Sequence, residues 1–311
     1  GDIEIAVGSG DTGVGGNVVI TAGSTIAPAG TSGGAVLLTS GVGTLSSSGN
    51  IVVMTGFGGA DGVSGSIELS SGTTSNGASG AINIGTGSAL TGAGGDINIE
   101  VGQGNTGSGG DVNIKGGEAN VADKGGGVVI SSGSSTYTSS GDIMMTTAKA
   151  ATVSGPTPGG VSGQISLSTG ASTNGISGKV LLTTGSGISA ASGNIELTVG
   201  SSSVGAGGDV VVSAGANTAD TPTADRAAGG RVVLTSGSST KTTSGSVFVS
   251  SFKAGAIGRS GSIHLSTGTT TDGLSGGIYL GTGAGSGDSA GDIEIVVGSG
   301  DDGAGGALTL A

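Results

Sequence analysis

Residues 65–79 read GSIELSSGTTSNGAS, and residues 163–177 and 261–275 restate that string as GQISLSTGASTNGIS and GSIHLSTGTTTDGLS. In each, a glycine stands two positions ahead of a branched pair: Ile67/Leu69, Ile165/Leu167 and Ile263/Leu265. One polar or charged residue separates the members of the pair, and a glycine-rich stretch follows. Apolar residues at i and i+2 have the period of an extended strand, whereas a helix needs them at i, i+3, i+4 and i+7. Asn76-Gly77, Asn174-Gly175 and Asp272-Gly273 then mark turns, because these residues tolerate the positive φ of a tight reversal. The unit predicts one strand of about seven to nine residues and one turn.

Working outward, the same unit fills the chain. Twenty branched pairs run from Ile3/Ile5 through Val18/Ile20, Val36/Leu38 and Ile51/Val53 to Ile293/Ile295 and Leu308/Leu310. Above this repeat sits a longer one. The strings at residues 1–10, 95–104, 193–202 and 291–300 read GDIEIAVGSG, GDINIEVGQG, GNIELTVGSS and GDIEIVVGSG. Six units therefore form a super-repeat, with copies at 1–94, 95–192 and 193–290 and the start of a fourth at 291–311. We read one continuous array, and, because both ends fall inside the repeat, a segment of a longer polypeptide.

Units longer than fifteen residues begin at Gly16, Gly49, Gly110, Gly141, Gly208 and Gly245, always second or fourth in a super-repeat. That parity places odd and even loops on opposite edges. The expected fold is all-β: a repetitive β-solenoid of about 15-residue strand-turn units, two units to a coil, with Ile and Val stacked on their own copies and the backbone ladder satisfied coil by coil. An antiparallel β-meander gives the same parity and is the alternative.

Composition excludes several classes. Glycine is 74 of 311 residues, aromatics are 2% and charged residues 10%. Disorder is disfavoured by the strict placement of the apolar pairs, and collagen by the lack of a glycine triplet and by only four prolines. Net charge is −12, and the nine Lys and Arg form no patch, which argues against nucleic acid. No apolar run reaches the length of a membrane span. There is no cysteine, hence no disulfide framework.

The residue between the members of each pair points away from the expected core. It is mostly polar in first and fifth units, as Glu4, Asn98, Glu196, Glu294, Glu68, Ser166 and His264, but apolar in second to fourth units, as Val19, Leu37, Val52, Val129, Met144, Val211, Val233 and Phe248. A recurring apolar outer patch marks an interaction surface, so these eight are the candidate assembly surface. Chemistry is sparse. His264 is the lone histidine and occupies an incidental surface slot. No catalytic or cofactor-binding constellation is present, so no enzyme and no cofactor is expected. Asp-Gly strings such as residues 298–303 are similar to calcium-binding β-rolls, but the acidic position becomes Asn105 or Ser203 in sister units. Outward Ser and Thr suggest an ice-binding array, interrupted by Glu and Val. The insertions make Thr157, Thr221 and Thr223 candidates for O-linked sugar, against a bland reading as rigid loops.

The strings SGSIELSSGTT, SGQISLSTGAS and SGSIHLSTGTT resemble the Gly/Ser/Thr-rich tandem repeats of large extracellular fibrous proteins of algae, diatoms and oomycetes, and more distantly the β-roll and β-helix stalks of adhesins. The resemblance implies an extracellular or cell-surface structural role. The expected function is a filament or fibre protein that associates with its own copies or with other parts of the same long chain; the alternative is an adhesin or ligand-binding stalk.

Overall fold

A computed structural model describes residues 1–11, 13–26, 30–120, 123–150, 160–173, 175–218, 228–286, 289–301 and 303–310. The chain divides into two units, Gly1–Met145 and Thr146–Ala311, and both are built from the same element. That element is a seven-residue segment beginning at the conserved glycine, followed by a junction of variable length.

Every junction closes in the same way. The side chain of the seventh residue of one segment faces the first glycine of the next. A methyl placed on Gly16 would lie 2.5 Å from Val7 Cγ1, and one on Gly306 2.8 Å from Val297 Cγ1. Elsewhere the partner is Thr, Ser or Ala: Thr55 against Gly65 (3.4 Å), Ser40 against Gly49 (3.5 Å), Ala214 against Gly230 (3.2 Å). Only Gly116 brings no side chain to its junction, and there a methyl on Gly126 would lie 3.0 Å from the Gly117 amide nitrogen. Sterics explains the leading glycine where a Cβ would be crowded by the segment before, as at Gly16, Gly110, Gly126, Gly208, Gly230 and Gly306, whereas at junctions such as Gly193 it would make only ordinary contact. Several junctions add one backbone bond. The amide of the leading glycine donates to the carbonyl of the glycine eighth in the preceding unit, as Gly34 to Gly23 (2.8 Å), Gly126 to Gly117 (2.9 Å) and Gly230 to Gly215 (2.8 Å).

The predicted turns at Asn76-Gly77 and Asp272-Gly273 form locally, while Asn174 of the third lies outside the described residues. Bends occupy 75–77 and 271–273. Gly77 and Gly273 take φ of 126° and 136°, and the Thr74 and Thr270 hydroxyls donate to their carbonyls at 2.7 and 2.9 Å. Third units use a different device. The Ser135 hydroxyl accepts from the Thr138 amide at 3.0 Å, and Ser239 accepts from the Thr242 amide at 2.9 Å. Such side-chain bonds give the backbone a local partner where the chain turns.

The expected β-solenoid is not what the chain forms. Among the described residues there is no α-helix and no β-strand, and the antiparallel meander fails for the same reason. The cause lies in how neighbouring segments meet. Directly opposed residues in an antiparallel ladder hold their Cβ atoms about 4.5–5.5 Å apart. Here the corresponding distances are shorter, 3.5 Å at Ser40/Gly49, 3.7 Å at Ser71/Gly80 and 3.8 Å at Thr86/Gly95. Segments meet at one point, through the seventh side chain and at several junctions a single backbone bond, and no run of backbone pairing extends from it. Positions two to seven of the described segments accordingly make no backbone–backbone hydrogen bond within the chain.

The expected core is also absent. No described residue is buried. Coverage is graded by distance from a junction. The seventh position is the most covered: Ala22, Ser40 and Thr55 are half-buried, and among the large apolar residues Val7, Val101, Val199 and Val297 are the least exposed, at 42–47%. The first member of each pair follows at 50–63% from Val18 onward, and the second at 64–78% from Ile5 to Ile295. Junctions supply the contact, and between them nothing lies over the apolar row.

Candidate assembly surface

The apolar row is set by the segment's alternation. Positions one, three, five and seven share a side, and that side meets the preceding junction at its start and the following one at its end. Segment 16–22 shows both: Gly16 lies against Val7, and Ala22 against Gly34. Consecutive junctions therefore bend the chain toward the same face, which carries the branched pairs.

The opposite face carries the eight apolar residues read from the sequence. All are exposed. Phe248, Val129, Leu37 and Met144 exceed 80%, above both members of the pair that flanks each of them. Val19, Val52 and Val211 also exceed their flanking pairs, and Val233, at 62%, is the one less exposed than its neighbour Leu234. This alternation is the trace of the period-two pattern. It does not separate a buried face from an exposed one, because the pair side is itself half open. Tyr279 and Leu181, in the middle slots of the sixth-unit segments 276–282 and 178–184, belong with the eight. They were missed because the search stopped at the fourth unit.

Every segment thus carries its branched pair on one side of a backbone with free amides and carbonyls, and the segments with an apolar middle slot add an apolar residue on the other side. Such a segment can add to another extended chain through its backbone edges or pack against an apolar surface through its apolar side chains.

His264 is exposed. Among the described residues no three His, Asp or Glu side chains come together, and there is no cavity. Asp302 of the Asp-Gly string, and Thr157, Thr221 and Thr223, lie outside the described residues. No helix of the described residues is long and apolar enough to cross a membrane. The chain matches no family model, no curated protein and no solved structure.

Proposed function

We propose that this chain is a structural protein of the extracellular space or cell surface, which builds a filament or fibre by stacking and lateral packing of its repeats. One observation carries the reading. The chain exposes 30595 Å² of surface, whereas a compact protein of 28.2 kDa exposes about 11,000 Å² and its unfolded chain about 41,000 Å². Some three-quarters of the unfolded surface is still open, with a branched apolar pair on every segment and an apolar residue on the opposite face of many. Exposed branched side chains drive association, and a standard protein interface needs only about 1,200–2,000 Å². The Gly/Ser/Thr composition and low charge support the location.

Electron cryomicroscopy of the purified chain tests the proposal. Filaments above a threshold concentration are expected. Replacing Val129, Met144 and Phe248 together by Ser raises that threshold while leaving the junctions closed. A wild-type chain that stays monomeric at every concentration refutes the reading.

A further inference from the structure

We infer that the open backbone of each segment is completed by a second copy of this chain, laid parallel and in register, so that hydrogen-bonded ladders run between chains rather than within one. This specifies the pairing of the assembly proposed above and rests on it.

Positions two to seven of the described segments make no backbone hydrogen bond inside the chain, and each segment is an open edge on both sides. Edges of this kind are normally guarded by proline or lysine. Here the four prolines, Pro28, Pro156, Pro158 and Pro222, all fall in junctions, so no segment lacks an amide donor. Of the nine basic residues only Lys115, Lys179 and Arg231 fall within segments. The edges lack proline and are continuous in their donors, and the charges they carry, such as Glu4, Asp96 and Glu100, are mostly acidic.

The order of unit lengths selects the occupant. The 22-residue units are 141–162 and 208–229. Shifting one chain by a super-repeat sets 141–162 against the 16-residue unit 245–260, and 208–229 against the 16-residue unit 110–125. Reversing one chain breaks the order as well. An identical copy in parallel register matches every segment and every junction at once, with each leading glycine above its counterpart and each branched side chain above its own. A strand spacing of about 4.8 Å brings these side chains into contact and covers the apolar row that a single chain leaves half open. Of all partners, only another copy of the same array has this spacing throughout.

Solid-state NMR on filaments of the full, unaltered chain labelled at the tyrosine carbonyl carbon tests this. Tyr279 lies between Ile278 and Leu280, and the only other tyrosine, Tyr137, lies in a junction. Dipolar recoupling is expected to give a carbon–carbon distance of about 4.8 Å that weakens on dilution with unlabelled chain. Filaments in which the labels come no closer than two strand spacings, about 10 Å, refute the register and leave the assembly reading standing. A distance of about 4.8 Å that survives dilution places the contact within one chain and also overturns the inference. A chain that never forms filaments overturns the assembly reading, and this inference with it.

Discussion

If the junctions are built into the chain, two cysteines placed across one should find each other without a loop search. Thr86 and Gly95 are a suitable pair in a chain that has no cysteine of its own. The Thr86 Cβ and a Cβ on Gly95 stand 3.8 Å apart, at the mean separation for a disulfide, about 3.8 Å. For a flexible chain, closing ten residues costs about (3/2)RT ln 10, or about 2 kcal/mol, equivalent to about 30-fold in effective concentration. A preformed junction has already met that cost. Thr86→Cys/Gly95→Cys should therefore show about 30 times the effective concentration of Ala89→Cys/Asn98→Cys, an equally spaced pair displaced from the junction. The measurement is the thiol–disulfide equilibrium of monomeric chain in glutathione buffer. Length gives a second check. Thr147 and Gly163 meet at 3.4–3.6 Å, against 3.6–3.8 Å for Thr86 and Gly95, although sixteen positions apart rather than nine. A random chain would lower the effective concentration by about 2.2-fold for seventeen residues against ten, and a built-in junction would not lower it. Equal values for junction and control, together with the random-chain decline, would refute the argument.

Sterics rank the leading glycines. Gly16→Ala forces a methyl to 2.5 Å from Val7 Cγ1 and should open that junction by about 1–3 kcal/mol, with Val7→Ala restoring it. Gly193→Ala, 3.9 Å from Thr184, should change little; both are read by the same cysteine-pair equilibrium at the altered junction. Gly77→Ala places a side chain at φ 126°, and at about 1–2 kcal/mol it should lower the disulfide yield of the flanking Ser71→Cys/Gly80→Cys pair. Because each copy carries a net charge of −12, in-register stacking sets like charges together. Raising salt from about 0.01 to about 0.1 M shortens the screening length from about 30 to about 10 Å, and should lower the filament threshold measured by sedimentation. A threshold unmoved by salt would argue against that stacking.

The repeat, its boundaries and its turns were legible because they rest on short-range rules. Asn76-Gly77 and Asp272-Gly273 needed only the positive-φ tolerance of glycine, and both turns are present. The leading glycine was visible as a pattern but not as a contact, since its reason lies in a residue nine or more positions earlier, Val7 for Gly16 or Thr147 for Gly163. The solenoid was not legible. Period-two alternation in Ile67-Glu68-Leu69 is shared by any extended segment, whatever lies beside its backbone. Whether backbone pairing extends from one segment to the next depends on the junction, where Ser40 and Gly49 approach too closely for a ladder pair. The candidate surface was legible for the same limited reason. Alternation names Val129 and Phe248 as facing away from the pairs, but says nothing of how far Val128 or Val249 are covered, and they are covered by about half or less.

The indifference of the closure to what lies between its two residues has a practical corollary. Thr86/Gly95 and Ala214/Gly230 meet equally well across intervening stretches of different length and composition. The junctions of the second and fourth units are therefore natural ports for foreign peptide. An epitope or a mineral-nucleating sequence grafted between Gly215 and Gly229 would be presented once per chain at a fixed anchor, and a fibre of such chains would become an ordered array of the graft.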